Sequence, residues 1–166
     1  VFQKITKIRN LCVLDILSSA TSIMLEGEIM QLSCNNIDIY SINRYLEIIS
    51  RKTAKLFAVA GHLAAVISDS NDKVTDNMIN FANNFGMAYQ IINDIHDYRC
   101  NSEVTGKNFG DDLKEGKITL PLLLAYKNSK VIEKTFIEEY LNNKHNSINE
   151  IYNIVNKTKS LELSLR

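Results

Sequence analysis

One proline, Pro121, and six glycines are all that punctuate 166 residues, and between them apolar side chains recur three and four positions apart almost throughout. Proline lacks a backbone donor and glycine loses the most backbone freedom on ordering, so these two residues are what normally break helices and form tight turns. A chain this poor in both, with a 3.6-residue apolar period, is expected to be all-α, and no stretch alternates as a half-buried strand would. The spacing predicts a long first helix over about residues 2–32, with Ile5, Ile8, Cys12, Ile16, Ser19, Ile23 and Met30 along one side. A second helix is predicted over about 42–68, capped by Ser41, and a third over about 76–98, capped by Thr75. Residues 99–118 hold three glycines and eight charged side chains and read as one long loop, a feature that is usually functional in a compact helical domain. Thr119 opens a further helix with Pro121 in its first turn, and Ser147 with Glu150 forms a capping box for a last one.

Composition narrows the function classes. A hydrophobic content of 45% is ample for one packed domain. Nineteen basic and nineteen acidic residues cancel, so no global charge calls for nucleic acid or an anionic membrane as partner. Cys12, Cys34 and Cys100 are odd in number and contain no C-x-x-C pair, which points to free thiols in a reducing compartment such as cytoplasm or an organelle matrix. The richest apolar run, "LFAVAGHLAAVI", is too short to span a bilayer, so no transmembrane segment is expected. The chain starts at Val1 directly in a helix-like pattern, without an initiator Met or the regions of a signal peptide, and reads as a fragment whose beginning is missing.

The residues able to carry chemistry gather around "QIINDIHDY" at positions 90–98. On a helix Asp94 and Asp97 share a face, with Gln90 and Asn93 beside them. Magnesium takes hard oxygen ligands, commonly one or two carboxylates plus substrate phosphate oxygens, and an aspartate pair three residues apart meets that need. D-x-x-D by itself more often marks a solvated face. Lys107 and Lys117 each follow a glycine in the loop beyond, and Lys52 lies in "RKTAKLF" on the preceding helix. Ammonium groups act as point charges for a diphosphate, and glycine lets backbone approach the anion, although any one of these lysines alone is most simply a surface residue. Phe81, Phe85, Met87, Tyr89, Ile91, Ile92 and Leu120 to Leu124 are read mostly as core, and a polar mouth above such an interior would suit an amphiphile with a charged head. His62, His96 and His145 have no metal-ligand spacing.

"FGMAYQIINDIHDY" followed by "TGKNFGDDLKEGKITLPLLLAY" resembles the second aspartate-rich region of the trans-isoprenyl (polyprenyl) diphosphate synthases. "LEGEIMQL" and "YLEIISRKTAKLFAVAG" resemble family segments that precede it, in the same order, so the likeness covers about residues 24–126. The resemblance implies the isoprenoid synthase fold, an antiparallel helix bundle around a central cavity, with residues 1–166 forming the C-terminal portion of one such domain. It also implies a prenyltransferase that uses Mg2+ to ionise an allylic prenyl diphosphate, condenses it with isopentenyl diphosphate and releases diphosphate. On that basis Asn93, Asp94 and Asp97 correspond to the metal motif, and Asp112 to an aspartate holding metal-bound water. Lys52, Lys107 and Lys117 correspond to diphosphate ligands, and Thr53 and Gln90 to residues lining the reacting allylic carbons. Glu26, Gly27, Glu28 and Gln31 match a helix segment read mainly as packing. The expected assembly is a homodimer, with a heteromer as the other possibility.

Two departures from the family pattern bear on activity. The second motif is ordinarily D-D-x-x-D, and here its first position is Asn93, a neutral donor that should weaken Mg2+ affinity without abolishing it. The first D-D-x-x-D is absent from residues 1–166, so the chain by itself is expected to have little or no activity. The alternative consistent with both departures is a non-catalytic subunit of a heteromeric synthase.

Overall fold

The computed structural model describes residues 10–33, 40–99, 110–142 and 147–166. Among these residues every regular element is helical. The chain forms two compact units, one from Val1–Cys34 with Leu46–Gln90, the other from Asn35–Tyr45 with Ile91–Arg166.

In the first unit, α1 spans Leu11–Leu32. Asn10 adopts an extended backbone, and its side-chain oxygen accepts the Val13 amide at 3.3 Å. This helix therefore does not run on from Phe2 as the spacing predicts. A short amide side chain competes with the helix for backbone partners and serves better as a cap than as an interior residue. The second predicted helix is present but interrupted: α2 (Ile42–Ile49) runs through a π-helical turn (Ser50–Ala54) into α3 (Lys55–Ile67). As predicted, Ser41 caps α2, its Oγ accepting the Arg44 amide at 3.3 Å. The third helix, α4 (Asp72–Asp97), starts a turn earlier than expected. Asn71 Oδ1 accepts the Val74 amide at 3.0 Å, and Thr75 lies inside the first turn with its hydroxyl donating to the Asn71 carbonyl. Both are good cap residues, and the one nearer the turn takes the position.

Small side chains let these helices approach closely. The buried residues here include Val13, Ala20, Ala54, Ala58, Val59 and Ala65. A Cβ at Gly27 would stand 2.7 Å from the Lys52 amide nitrogen, and one at Gly86 would stand 2.7 Å from Ala54 Cα. Both α1 and α4 thus meet the π turn at backbone distance. Phe81, Phe85 and Tyr89, read as core from their spacing, are instead exposed, Phe81 by 69%, and two of them pack on Phe57 with ring centroids 5.6 and 5.3 Å away. Periodicity finds an apolar face but does not say whether anything covers it.

The second unit has a conventional apolar core. Ile95, Tyr98, Leu113, Leu122, Ala125, Ile137, Ile151, Ile154, Val155 and Leu161 are packed together with little or no exposure. They come from the end of α4 and from α5 (Asp111–Lys114), α6 (Leu120–Asn128), α7 (Val131–Leu141), α8 (Ile148–Lys157) and α9 (Ser160–Ser164). α6 lies against α7, α8 and α9. Part of the predicted 99–118 loop is therefore helical: Gly110 takes a left-handed φ of 69° and starts α5, whose Leu113 is buried. Thr119 and Pro121 open α6 as expected, although the Thr119 hydroxyl donates to Tyr98 Oη at 3.5 Å instead of capping. Ser147 precedes α8 without a side-chain cap, so the Ser147–Glu150 capping box does not form. It is Glu133 that reaches back, accepting the Lys130 amide at 2.8 Å at the start of α7.

Candidate functional site

The aspartates near the end of α4 are buried, Asp94 to 3% and Asp97 to 6% exposure, which excludes the solvated-stripe reading. Buried carboxylates need partners, and the two obtain them differently. Tyr45, itself buried, donates its hydroxyl to Asp94 Oδ2 at 2.6 Å. Asp97 accepts hydrogen bonds from the backbone amides of Asp111 and Asp112. Its Oδ2 is buried and has no hydrogen-bond partner among the described residues. Burial, followed by the Asp112 charge, pushes the Asp97 carboxyl above its ordinary range, and those two amides only partly oppose the shift. An orphaned, buried carboxylate oxygen in a cluster of acidic groups is the arrangement that a hard cation relieves. Among the described residues no group of three or more His, Cys, Asp or Glu side chains is placed to hold a metal, so Asp94 and Asp97 would supply the protein share of a site completed by water and ligand oxygens.

Asp112 pairs with Lys117, whose Nζ lies 2.8 Å from Asp112 Oδ1 and 2.7 Å from Glu115 Oε2. The hydrogen bonds to these two carboxylates raise the Lys117 ammonium well above its ordinary value, so it stays charged. Lys117 follows Gly116, whose φ of 74° requires a residue free of a Cβ. Asn93 is half-buried on α4. Lys107 lies outside the described residues.

In the first unit the π turn carries Lys52 and Thr53. Thr53 Oγ1 donates to Gln90 Oε1 at 3.0 Å, so these two predicted residues are brought together. Lys52 Nζ lies 2.9 Å from Glu28 Oε2 and donates to Gln31 Oε1 at 2.7 Å, while Arg51 pairs with Glu26 at 2.7 Å and Glu47 at 3.2 Å. The "LEGEIMQL" segment is therefore more than packing: Gly27 admits the backbone of the π turn, and Glu28 and Gln31 hold the ammonium of Lys52. Sequence reasoning missed this polar role, and it missed Tyr45 altogether. The first could have been found from the acidic residues bracketing Gly27. The second left no signal, since Tyr45 and Asp94 are 49 residues apart.

The chain matches the family model described as polyprenyl synthetase over residues 1–158. It is 35% identical over 166 residues to the octaprenyl diphosphate synthase of Haemophilus influenzae, covering 99% of this chain and 50% of that protein. To the octaprenyl diphosphate synthase of Escherichia coli it is 39% identical over 125 residues, covering 75% of this chain and 38% of the relative. The crystal structure of a polyprenyl synthase from Caulobacter crescentus, complexed with calcium and isoprenyl diphosphate, superposes with a TM-score of 0.89 at 33% identity, over 98% of this chain and 51% of that one. A decaprenyl diphosphate synthase from Rhodobacter capsulatus gives a TM-score of 0.85 at 28% identity, again over 98% and 51%. The chain thus spans about half the length of the relatives it matches, and its fold is that of the isoprenoid synthases. With a match extending over nearly its whole length, the chain belongs to the polyprenyl synthetase family.

Proposed function

We propose that residues 1–166 form the C-terminal portion of a single all-α domain that condenses an allylic prenyl diphosphate with isopentenyl diphosphate and releases diphosphate. The observation that carries this reading is the pair of buried aspartates on α4, one of which presents an oxygen without a partner. The oxygen-only donor set suits Mg2+, and the Caulobacter relative was crystallised with another hard divalent cation and an isoprenyl diphosphate. When bound, Mg2+ would neutralise charge developing on the departing diphosphate.

The residues of the chain divide the remaining work. Asp94 and Asp97 hold the cation, with Asn93 as a neutral neighbour that lowers the negative charge of the site. Asp112 orients water on that cation and keeps Lys117 charged through its 2.8 Å contact. Lys117 and Lys107 supply point charge to a diphosphate. In the first unit, Lys52 does the same from the π turn, and Thr53 with Gln90 presents a hydrogen-bonded polar pair to the reacting end of the allylic group. Electrostatic stabilisation of this kind acts most strongly where water is excluded, which fits the burial of both aspartates. We propose a homodimer as the assembly.

The test has two stages. The 166-residue chain should bind inorganic pyrophosphate more tightly with Mg2+ than without, by calorimetry, and Asp97→Ala should remove the difference. Joined to an N-terminal half that carries D-D-x-x-D, it should convert an allylic diphosphate and isopentenyl diphosphate into a longer prenyl diphosphate, whereas alone it should give little or none. Pyrophosphate binding indifferent to Mg2+, or no product from the joined chain, overturns the reading.

A further inference from the structure

We propose that Tyr45 is a positioning residue for Asp94, its hydroxyl fixing the carboxylate so that the remaining lone pairs face a divalent cation; the inference rests on the metal reading of Asp94 and Asp97 given above. A carboxylate offers about four acceptor directions, and a buried one that turns freely would satisfy a cation in few of its orientations. Tyr45 Oη, 2.6 Å from Asp94 Oδ2, occupies one direction on one oxygen and sets the rotation of the whole group. The donor is itself immobilised, since Tyr45 is only 6% exposed.

The chemistry of the donor matters as much as its place. A lysine or arginine in the position of Tyr45 would also order the carboxylate, but it would cancel the negative charge that attracts the cation. A phenol orders it and leaves the charge in place. Asp97 is handled on the same principle with neutral donors, the backbone amides of Asp111 and Asp112, and it too retains an unused oxygen. The two aspartates are thus held rigid by groups that do not compete for their charge, which is how outer-shell partners tune a metal site.

The experiment measures Mn2+ affinity of the 166-residue chain by calorimetry and by electron paramagnetic resonance at fixed pH, for wild type, Tyr45→Phe, Asp94→Asn and the double variant, with melting curves in chelator as the fold control. Tyr45→Phe keeps the ring and removes the hydroxyl, and is expected to weaken Mn2+ by about tenfold. In the Asp94→Asn background the same change should do nothing further, the mark of two residues acting as one. If Asp94→Asn weakens Mn2+ while Tyr45→Phe binds as wild type, Tyr45 merely packs and the proposal is overturned. If the wild type binds no Mn2+, or Asp94→Asn does not weaken it, the metal reading itself fails and takes this one with it. Should Tyr45→Phe not fold, fluorotyrosine in the wild-type chain gives a second reading. Bound Mn2+ must then broaden the Tyr45 fluorine resonance, and an unbroadened line overturns the proposal.

Discussion

At Asp97 burial and the nearby Asp112 charge both act against ionisation, and the backbone amides of Asp111 and Asp112 act for it without prevailing. The sign of the stability effect follows. A carboxyl whose folded pKa lies above its unfolded one binds more protons in the folded chain between the two values, so its contribution becomes less favourable as pH rises through the folded pKa. Without a cation, Asp97→Asn should therefore melt higher than wild type at neutral pH, and the gap should close as pH falls towards the ordinary aspartate range. Added Mg2+ should stabilise the wild type and leave the variant unmoved, because a ligand that binds only the folded state raises its melting temperature. Scanning calorimetry across pH, with chelator and then with Mg2+, checks both. A variant that melts lower than wild type in chelator at neutral pH contradicts the account of an unrelieved buried charge.

Among the elements, the π turn is the one most tightly specified by its neighbours, since Gly27 and Gly86 both face its backbone. Gly27→Ala would press a methyl to 2.7 Å from the Lys52 amide nitrogen, where main chain and not a flexible side chain must move. Overpacking of this kind costs about 1–3 kcal/mol. Denaturant unfolding should show that loss, and pyrophosphate affinity should fall with it because Lys52 moves with the turn. Stability within 0.5 kcal/mol or so of wild type, the usual range for a harmless surface change, would mean the turn is not gripped there. The same elements show what could be read in advance. The helical character was legible from the scarcity of proline and glycine, and Ser41 was legible as a cap because no rival stands beside it. Asn10 and Asn71 were not, since an asparagine four residues before a threonine offers two chemically acceptable starts and only packing chooses between them. The π turn left no trace, because "SRKTA" has ordinary helix composition. Of the candidate site, the aspartates were legible from their spacing, whereas Tyr45 and the hold of Glu28 and Gln31 on Lys52 depend on contacts between distant segments.

For the molecule as a whole, the exposed apolar side chains matter most. Leu11, Leu25, Ile29 and Leu32 on α1 are open to solvent, as are Phe81, Phe85 and Tyr89 on α4, in a chain that spans half the length of its relatives. Contiguous exposed apolar surface drives association. Sedimentation velocity on the isolated chain should show species heavier than the monomer as concentration rises, and the pair Leu25→Lys and Ile29→Lys should reduce them. A wild-type chain monomeric at all concentrations would show that these faces do not stick together. The π turn also has a bearing on the lineage of the chain. A π turn holds one residue more than an α turn, so whatever follows it is rotated by about 100° relative to an unbroken helix. An insertion that would ordinarily throw every later side chain onto the wrong face is here confined to five residues, and the two faces of the α2 to α3 rod are set independently. Removing one residue between Ser50 and Ala54 would leave a more regular helix and a misregistered protein, which is reason enough for length at this point to be inherited more strictly than sequence.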